Sequence, residues 1–356
     1  MHHPLESLQR QHHALLPPYL LRLPSPTILA AEESQKWMIQ HILHDPALGS
    51  YTPERGYNRS FWRKIVAELE KGVEAIRETE PDSEVEVDEV FYELLADLMV
   101  SSPSSSDLPQ QSYRTFVYDR PAWTGQTGES RVTLLEEQVA IQAGTTGLRT
   151  WTASLHLAHH ILTSPTVLFP DAPSGLPPCV ELGAGTGFLS ILLAQLGADV
   201  IATDLDGPSE GARQAPLDRL RGNARLNDSA KSLQIEALDW TDALLPFGDR
   251  PPIWQGLTSG SSRTVVAADV IYDPSLVPPL VAAIDALVGS SSHAIISATV
   301  RNPTTLDLFV ETCHKSGLEL RDLDLVPMPS SDPTFWDSAL DAGSNVRIMR
   351  IRRPHV

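Results

Sequence analysis

The sequence contains little cysteine and few aromatic residues. Of its 356 residues, two are cysteines, Cys179 and Cys313, and 6% are aromatic. Two thiols embedded in apolar patterns do not make a disulfide framework, so we expect a reducing compartment. No Cys/His spacing fits a zinc site, and the adjacent histidine pairs cannot both face one metal from a regular helix or strand. We therefore predict no metal site.

Long hydrophobic runs are also missing. No run approaches the roughly 18 apolar residues that a membrane helix requires. The N-terminus places Pro4, Glu6, Gln9 and Arg10 where a signal peptide would need an unbroken apolar core. We expect a cytoplasmic protein that has no membrane partner.

Positive charge is scarce relative to negative charge. Lys and Arg number 27 against 45 Asp and Glu, which gives a formal net charge of −18. An acidic body repels phosphate backbones, so we predict no direct nucleic-acid binding. Negative charge can instead attract a basic patch on a protein partner. The remaining composition, with 42% hydrophobic and 20% charged residues, is typical of a globular protein.

The first 110 residues have the periodicity of amphipathic helices. Apolar residues recur at helical spacing, and Pro46 ends the first helix because a residue before proline disfavours helix. The acidic stretch 78–89 is interpreted as a solvated face or loop, and the Ser/Pro-rich residues 101–107 as a linker. The predicted helices cover residues 33–43, 57–69 and 87–100. We predict a helical unit over residues 1–110 and a second domain over 111–356.

After residue 110, short apolar strands alternate with helices. Strands that alternate with helices indicate a parallel sheet covered by helices. The predicted strands cover residues 112–119, 131–141, 178–182, 199–203, 233–238, 264–270 and 294–300. The predicted helices cover residues 188–196, 208–227, 275–288 and 304–316. Residues 345–352 are predicted as a last strand, antiparallel at the end of the sheet.

A glycine-rich loop, ELGAGTG, follows one of these strands at residues 181–187. Ligands of such sheets bind outside the carboxyl ends of the strands. Gly183, Gly185 and Gly187 would let the backbone pass close to a ligand, and Glu181 suits the ammonium group of a methionine moiety. Phe188 stands where a dinucleotide fingerprint has glycine or alanine, which disfavours nicotinamide and flavin cofactors. A strand–helix turn without a ligand is the alternative interpretation.

Acidic residues end the next two strands. Asp204 is placed to accept both ribose hydroxyls of an adenosine ligand, although it or Asp206 would also serve as a helix N-cap. Asp239 is a candidate acceptor for an adenine amino group. Trp240 is a candidate to lie against the adenine ring, with core packing as the alternative.

The predicted strand at 264–270 leads into DVIY, residues 269–272, beside the position expected for a transferred methyl group. We predict Asp269 and Tyr272 as the catalytic residues, since a carboxylate and backbone carbonyls can orient an amine and a tyrosine face can hold it. Methyl transfer needs the amine lone pair, so a lysine must first lose its proton. Val270 and Ile271 replace the Pro-Pro pattern of enzymes that methylate DNA bases, which argues against a nucleobase substrate.

These motifs resemble a known family. GTTGLRTW (residues 144–151), the glycine loop and DVIY resemble family 16 of the seven-strand protein lysine methyltransferases. TVRNPTT (residues 299–305) and the N-terminal unit resemble the members that methylate elongation factor 2. The resemblance implies a seven-strand Rossmann-like sheet and the cofactor S-adenosylmethionine. It also places Trp151 and residues 144–147 at the cofactor and Asp269 and Tyr272 at a lysine channel.

The function expected from this resemblance is methyl transfer to a lysine of elongation factor 2. One alternative is a family 16 enzyme with a different protein substrate. Another is a non-catalytic module that binds S-adenosylmethionine. We expect the unit at 1–110 to recognise the substrate, with a structural cap as the alternative. The insert at 248–262 does not contribute to the resemblance and is predicted to be a loop.

Overall fold

The structure is a computed structural model that describes residues 4–100, 111–138, 148–170, 175–207, 215–227, 232–259, 263–289, 292–339 and 345–354. The chain divides into two compact units. The first is Met1–Val117 with Phe335–Ser338, and the second is Tyr118–Thr334 with Ala339–Val356. The predicted linker at 101–107 and the predicted cofactor segment at 144–147 lie outside the described residues.

The first unit is built from helices around an apolar core. α4 is its longest helix, and Glu54 caps its start by accepting hydrogen bonds from the backbone N–H groups of Gly56 and Tyr57. Apolar side chains recur along α4 every three or four residues, so that one face enters the core with Phe61 and Trp62. The helices are α1 (Glu6–His13), α2 (Pro26–Ala30), α3 (Glu32–Met38), α4 (Arg55–Thr79) and α5 (Glu89–Met99), with a π-helix at Ile39–Leu43.

The three predicted helices are present, with altered bounds. The first is split into α3 and the π-helix, and the second extends ten residues further, from residue 69 to Thr79. Between α4 and α5, residues 80–88 form no helix, and Glu84 and Glu86 are exposed, as predicted for this acidic stretch. α1 and α2 are additional. α2 approaches α4 at Gly72, where a Cβ would lie 2.0 Å from the carbonyl oxygen of Pro26.

The second unit contains a seven-stranded mixed sheet in the order β5-β4-β3-β6-β7-β9-β8. All neighbours among β3 to β7 are parallel, while β9 runs antiparallel to both β7 and β8. The strands are β1 (Gln111–Asp119), β2 (Glu129–Glu137), β3 (Cys179–Leu182), β4 (Val200–Asp204), β5 (Leu233–Ala237), β6 (Thr264–Ala268), β7 (Ala294–Thr299), β8 (Glu319–Asp322) and β9 (Val346–Arg352). The predicted α/β fold class with a seven-strand sheet is confirmed.

Helices connect the strands of this sheet. They are α6 (Thr152–Thr163), α7 (Pro165–Leu168), α8 (Phe188–Gln195), α9 (Pro216–Arg225), α10 (Pro252–Ser259), α11 (Val277–Leu287) and α12 (Pro303–Lys315). The chain runs outward from β3 to β4 and β5 and then returns to the other side of β3 with β6. Such a reversal of strand order leaves a crevice at the carboxyl ends of the strands, which is where ligands bind in open α/β sheets.

Two local predictions are wrong. The predicted loop at 248–262 contains α10, whose Trp254 is completely buried in the core beside Val277 and Leu280 of α11. The last strand, β9, does not end the sheet, because β8 pairs with its outer side through Leu320 and Ile351. β8 is only four residues long and mostly exposed, so it lacks the apolar pattern that would reveal a strand.

The described residues hold no membrane-spanning helix, no three-ligand metal cluster and no disulfide bond. None of their helices has both the length and the apolar character that crossing a membrane requires. No group of three His, Cys, Asp or Glu side chains among them is arranged to hold a metal ion. Cys179 and Cys313 are both buried free thiols, and burial raises the pKa of each to about 12.

Candidate cofactor and lysine site

A pocket opens at the carboxyl ends of β3, β4 and β6, where the reversal of strand order predicts a crevice. Among the described residues predicted for the site, all except Gly187 line this pocket. These residues come from separate segments of the chain, and the parallel sheet brings them together at one edge. The predicted residues that line it are Trp151, Glu181, Gly183, Gly185, Asp204, Asp239, Trp240, Asp269 and Tyr272.

The glycine loop joins β3 to α8 through left-handed backbone conformations. Gly183, Gly185 and Gly187 have φ values of 68°, 56° and 88°, which glycine adopts without steric cost. Gly187 precedes α8, and a Cβ there would lie 2.3 Å from Cδ1 of Leu220 in α9. The left-handed φ of Gly187 accounts for glycine there, because the Leu220 methyl group is the end of a flexible side chain that can move aside, whereas Gly183 and Gly185 line the pocket.

Glu181 is the third residue of β3, one residue before the strand ends, and its carboxyl group is buried. The Ser190 hydroxyl donates a hydrogen bond to this carboxyl, and burial raises its pKa to about 8. Protonation stabilises a buried carboxyl of this kind. The protonated Glu181 carboxyl therefore stabilises the folded state. This stabilisation is fully present below the ordinary pKa of about 4.5 and is lost as pH rises through about 8. Near neutral pH, a cation placed beside Glu181 would favour loss of this proton.

Asp204 ends β4 and is held by the glycine loop itself. Its Oδ2 accepts a hydrogen bond from the Gly185 N–H at 2.7 Å, and its Oδ1 accepts one from the Leu205 N–H at 2.8 Å. Burial raises the pKa of the Asp204 carboxyl, and these two backbone donors oppose the rise. The carboxylate is thus fixed at the rim of the loop, and the next described helix, α9, begins at Pro216.

Asp239 and Trp240 follow β5 and begin a short 3-10 helix, Trp240–Leu244. Asp239 Oδ1 accepts hydrogen bonds from the backbone N–H and the hydroxyl of Thr241, at 2.8 and 2.7 Å. The Trp240 ring lies close to Gly183, since a Cβ at Gly183 would be 3.2 Å from Trp240 Cζ2. Trp240 both packs against the core and lines the pocket, so its two interpretations are compatible.

Asp269 follows β6 with a φ of 59°, an uncommon conformation for a residue other than glycine. Its carboxylate accepts hydrogen bonds from the backbone N–H and the hydroxyl of Thr299, at 3.0 and 3.2 Å. Arg301 donates two more, from Nη1 at 3.1 Å and Nη2 at 2.9 Å. The buried carboxylate therefore ties the end of β6 to the end of β7.

Arg301 also contacts the pocket wall. Its guanidinium carbon lies 4.8 Å from the centroid of the Trp151 ring, within cation–π distance. Sequence reasoning missed this partnership, although one signal was available: Asp269 and Arg301 follow adjacent parallel strands, whose ends meet at one edge. Tyr272 lies further out, half exposed at the pocket.

The chain is similar in sequence to known methyltransferases. A protein-lysine N-methyltransferase of Chaetomium thermophilum, EFM3, is 31% identical over 347 residues, covering 94% of this chain and 94% of that protein. Human EEF2KMT, also a protein-lysine N-methyltransferase, is 28% identical over 307 residues, covering 81% of this chain and 80% of that protein. Among solved structures, the glycopeptide N-methyltransferase MtfA, complexed with sinefungin, is 13% identical with a TM-score of 0.36, covering 56% of this chain and 94% of that chain.

The family described as lysine methyltransferase matches residues 129–315. This range is more than half of the 356 residues, and it contains the glycine loop, Asp204 and the Asp269–Arg301 pair. The chain belongs to the lysine methyltransferase family and is a protein-lysine N-methyltransferase.

Proposed function

We propose that this protein transfers a methyl group from S-adenosylmethionine to a lysine of elongation factor 2. The observation that carries the donor site is the convergence of Glu181, Gly185 and Asp204 at one pocket edge. The substrate rests on the resemblance of residues 299–305 and of the N-terminal unit to methyltransferases of elongation factor 2. The similarity to EFM3 and EEF2KMT over most of the chain supports the same assignment.

We assign one part of S-adenosylmethionine to each acidic residue of the donor site. Glu181 takes the methionine ammonium group, and Asp204 takes the ribose hydroxyls with the acceptor capacity left beside its two backbone donors. Asp239 accepts the adenine amino group, while Trp240 and Trp151 supply apolar walls. Glycine at 183 and 185 leaves room for the ligand between these walls.

Binding of S-adenosylmethionine is expected to release a proton from Glu181. At pH 6.5 the Glu181 carboxyl is mostly protonated, because burial raises its pKa to about 8. The ligand's α-amino group, with an ordinary pKa of about 7.7–8.0, is charged at that pH. Pairing with this ammonium ionises Glu181, so we expect about one proton released per ligand. Calorimetry in two buffers of different ionisation enthalpy measures that number.

Glu181→Gln is the matched control, since it keeps the shape and the Ser190 contact but cannot ionise. We expect it to bind more weakly and to release no proton. Wild-type affinity should rise between pH 5.5 and 7.5, while that of Glu181→Gln should stay flat. Equal proton release by both proteins would contradict the assignment of Glu181 to the ammonium group.

The acceptor lysine is placed beside Asp269 and Tyr272, at the end of β6. A half-exposed tyrosine at the pocket offers its ring face to an alkyl-ammonium side chain that enters from solvent. Exclusion of water lowers the pKa of an incoming lysine and so helps to expose its lone pair. The reaction forms the bond between the lysine nitrogen and the methyl carbon, and the bond from that carbon to the donor sulfur breaks.

The N-terminal unit, residues 1–110, is assigned to substrate recognition. It carries no cofactor motif, and its acidic segment 80–88 exposes Glu84 and Glu86. Acidic side chains on a docking surface attract a basic patch and speed encounter in a salt-dependent way. A cytoplasmic location, expected from the two unpaired thiols, agrees with a translation factor as substrate.

The experiment that tests this function is incubation of the protein with purified, unmodified elongation factor 2 and labelled S-adenosylmethionine. We expect labelled lysine in elongation factor 2. In the same assay, a Glu84→Lys/Glu86→Lys double variant should raise KM on the order of tenfold at low salt and less at high salt. Its kcat should stay near the wild-type value.

A Glu311→Lys/Glu319→Lys double variant makes the same charge change on the second unit, where both side chains are exposed. We expect its KM to be near wild type. Equal KM values for the two double variants would argue against docking through the acidic segment. Absence of label in elongation factor 2 would contradict this substrate assignment and would favour a different protein substrate.

A further inference from the structure

Arg301 occupies the short connection between β7 and α12. Thr299 ends β7, and Asn302 caps α12 by accepting a hydrogen bond from the Thr304 N–H at 3.0 Å. Both neighbours of this connection are therefore anchored. An arginine held between two anchored segments has a short and defined reach, which directs its guanidinium to Asp269 and Trp151.

The contact between Arg301 and Asp269 joins a half-exposed cation to a buried anion. The Asp269 side chain is 3% exposed and that of Arg301 is 45% exposed. Two parallel hydrogen bonds fix the relative orientation of the guanidinium and the carboxylate, and the Trp151 ring covers the guanidinium. Lysine could not reproduce this arrangement, because it offers a point charge without a planar pair of donors.

The charge of Asp269 has a chemical consequence for an amine substrate. A bare carboxylate within about 4–6 Å favours the charged form of a neighbouring amine by one to three pKa units. The reaction requires the uncharged form. Other titratable groups that line the same pocket are Arg149, Glu181, Asp204, Asp239 and Tyr272. Of the carboxylates in this pocket, we place Asp269 beside the amine of the substrate. The positive charge of Arg301 balances the negative charge of Asp269.

We propose that Arg301 is a positioning residue that neutralises the Asp269 carboxylate, so that the acceptor lysine enters as the uncharged, reactive amine. This inference rests on the proposed placement of the lysine beside Asp269, and it holds for any protein substrate. Arg301 does not line the cofactor pocket, so its role is separate from binding of S-adenosylmethionine.

The test measures the single-turnover rate of methyl transfer against pH, with the full-length enzyme and labelled S-adenosylmethionine both in excess over the acceptor protein of a cell lysate. Single-turnover rates report ionisation within the enzyme–substrate complex. For Arg301→Met we expect the acid limb of the profile to move to higher pH by about one unit or more. At a pH on that limb, the rate should fall about tenfold for each unit of the shift.

Two variants separate a charge effect from a structural one. Arg301→Lys keeps the charge and should return the midpoint of the limb towards wild type, although the rate stays lower. Asp269→Asn combined with Arg301→Met removes both charges and should also return the midpoint, again with a low rate. Arg347→Met breaks a comparable two-bond pair with Asp322 between β9 and β8, and it should leave the profile unchanged.

The outcomes distinguish this inference from the proposed substrate. An unshifted limb in Arg301→Met, with a rate that is merely lower, overturns the inference. The same holds if Arg301→Lys and Arg301→Met have identical profiles, or if Arg301→Met loses affinity for S-adenosylhomocysteine by calorimetry. If the labelled protein is not elongation factor 2, the substrate assignment fails while the shift of the limb still decides the role of Arg301.

Discussion

Gly185→Arg is expected to abolish binding of S-adenosylmethionine by a protein that remains folded. Gly185 lies in the pocket with a φ of 56°, and its N–H holds Asp204. An arginine side chain there fills the space between the loop and the ligand, and the left-handed backbone adds about 1–2 kcal/mol of strain. We expect a wild-type binding free energy of about −8 kcal/mol. Calorimetry of Gly185→Arg should show an affinity for S-adenosylmethionine at least a hundredfold lower.

Gly317→Arg is the matched control for this variant. Gly317 also has a left-handed φ, 73°, but a Cβ there meets no atom within 4 Å, and the residue lies in the turn between α12 and β8. It reproduces the backbone strain without entering the pocket, so its affinity should equal that of wild type. Unchanged binding by a folded Gly185→Arg protein would remove the basis for the donor site.

Asp269→Ala is expected to lose turnover while it largely retains cofactor binding. The change removes all four hydrogen bonds that the carboxylate accepts and releases Arg301 from the end of β6. A shift of the amine by about 1 Å can cost on the order of a hundredfold in rate. We expect kcat to fall by that factor or more, with the calorimetric affinity for S-adenosylhomocysteine within a few-fold of wild type.

Asp269→Asn controls for the backbone at this position. Asparagine tolerates the left-handed conformation that Asp269 adopts, whereas alanine is strained there. Thermal unfolding should therefore be less affected in Asp269→Asn than in Asp269→Ala, while both variants lose the ion pair with Arg301. Near-full activity of a folded Asp269→Ala protein would show that the carboxylate has no part in the reaction.

Much of the sheet could be predicted because its central strands are short, buried and apolar. β3, β4, β6 and β7 are buried along nearly their whole length and read as continuous apolar runs between glycine-rich or polar turns. β8 was missed because it is an exposed edge strand. α10 lies in an insert that does not contribute to the family resemblance, although it carries Trp254 into the core.

The first unit limits sequence prediction for a different reason. α1 has a polar sequence, yet Gln11 and His12 in it are buried. Gln11 exchanges hydrogen bonds with the backbone of Arg22, accepting from its N–H and donating to its carbonyl, and His12 bonds Asn58. Burial of polar groups that depends on distant partners leaves no apolar periodicity. Hydrophobic patterns consequently predicted α3, α4 and α5 but not α1.

In the candidate site, too, the sequence predicts where residues lie but not which side chains they contact. Motif and strand order together were enough to place Glu181, Asp204 and Asp269 at one edge of the sheet. They could not show that Gly187 lies outside the lining of the pocket, or that the Asp269 carboxylate is paired with Arg301. These facts depend on side-chain distances between segments, and a single sequence does not contain them.

The most direct measurement incubates the protein with labelled S-adenosylmethionine and a cell lysate, and identifies the labelled residue by mass spectrometry. We expect label on a lysine of elongation factor 2, and no label with Gly185→Arg in place of wild type. Label on a residue type other than lysine, label confined to another protein, or no protein label with the wild-type enzyme would contradict this expectation.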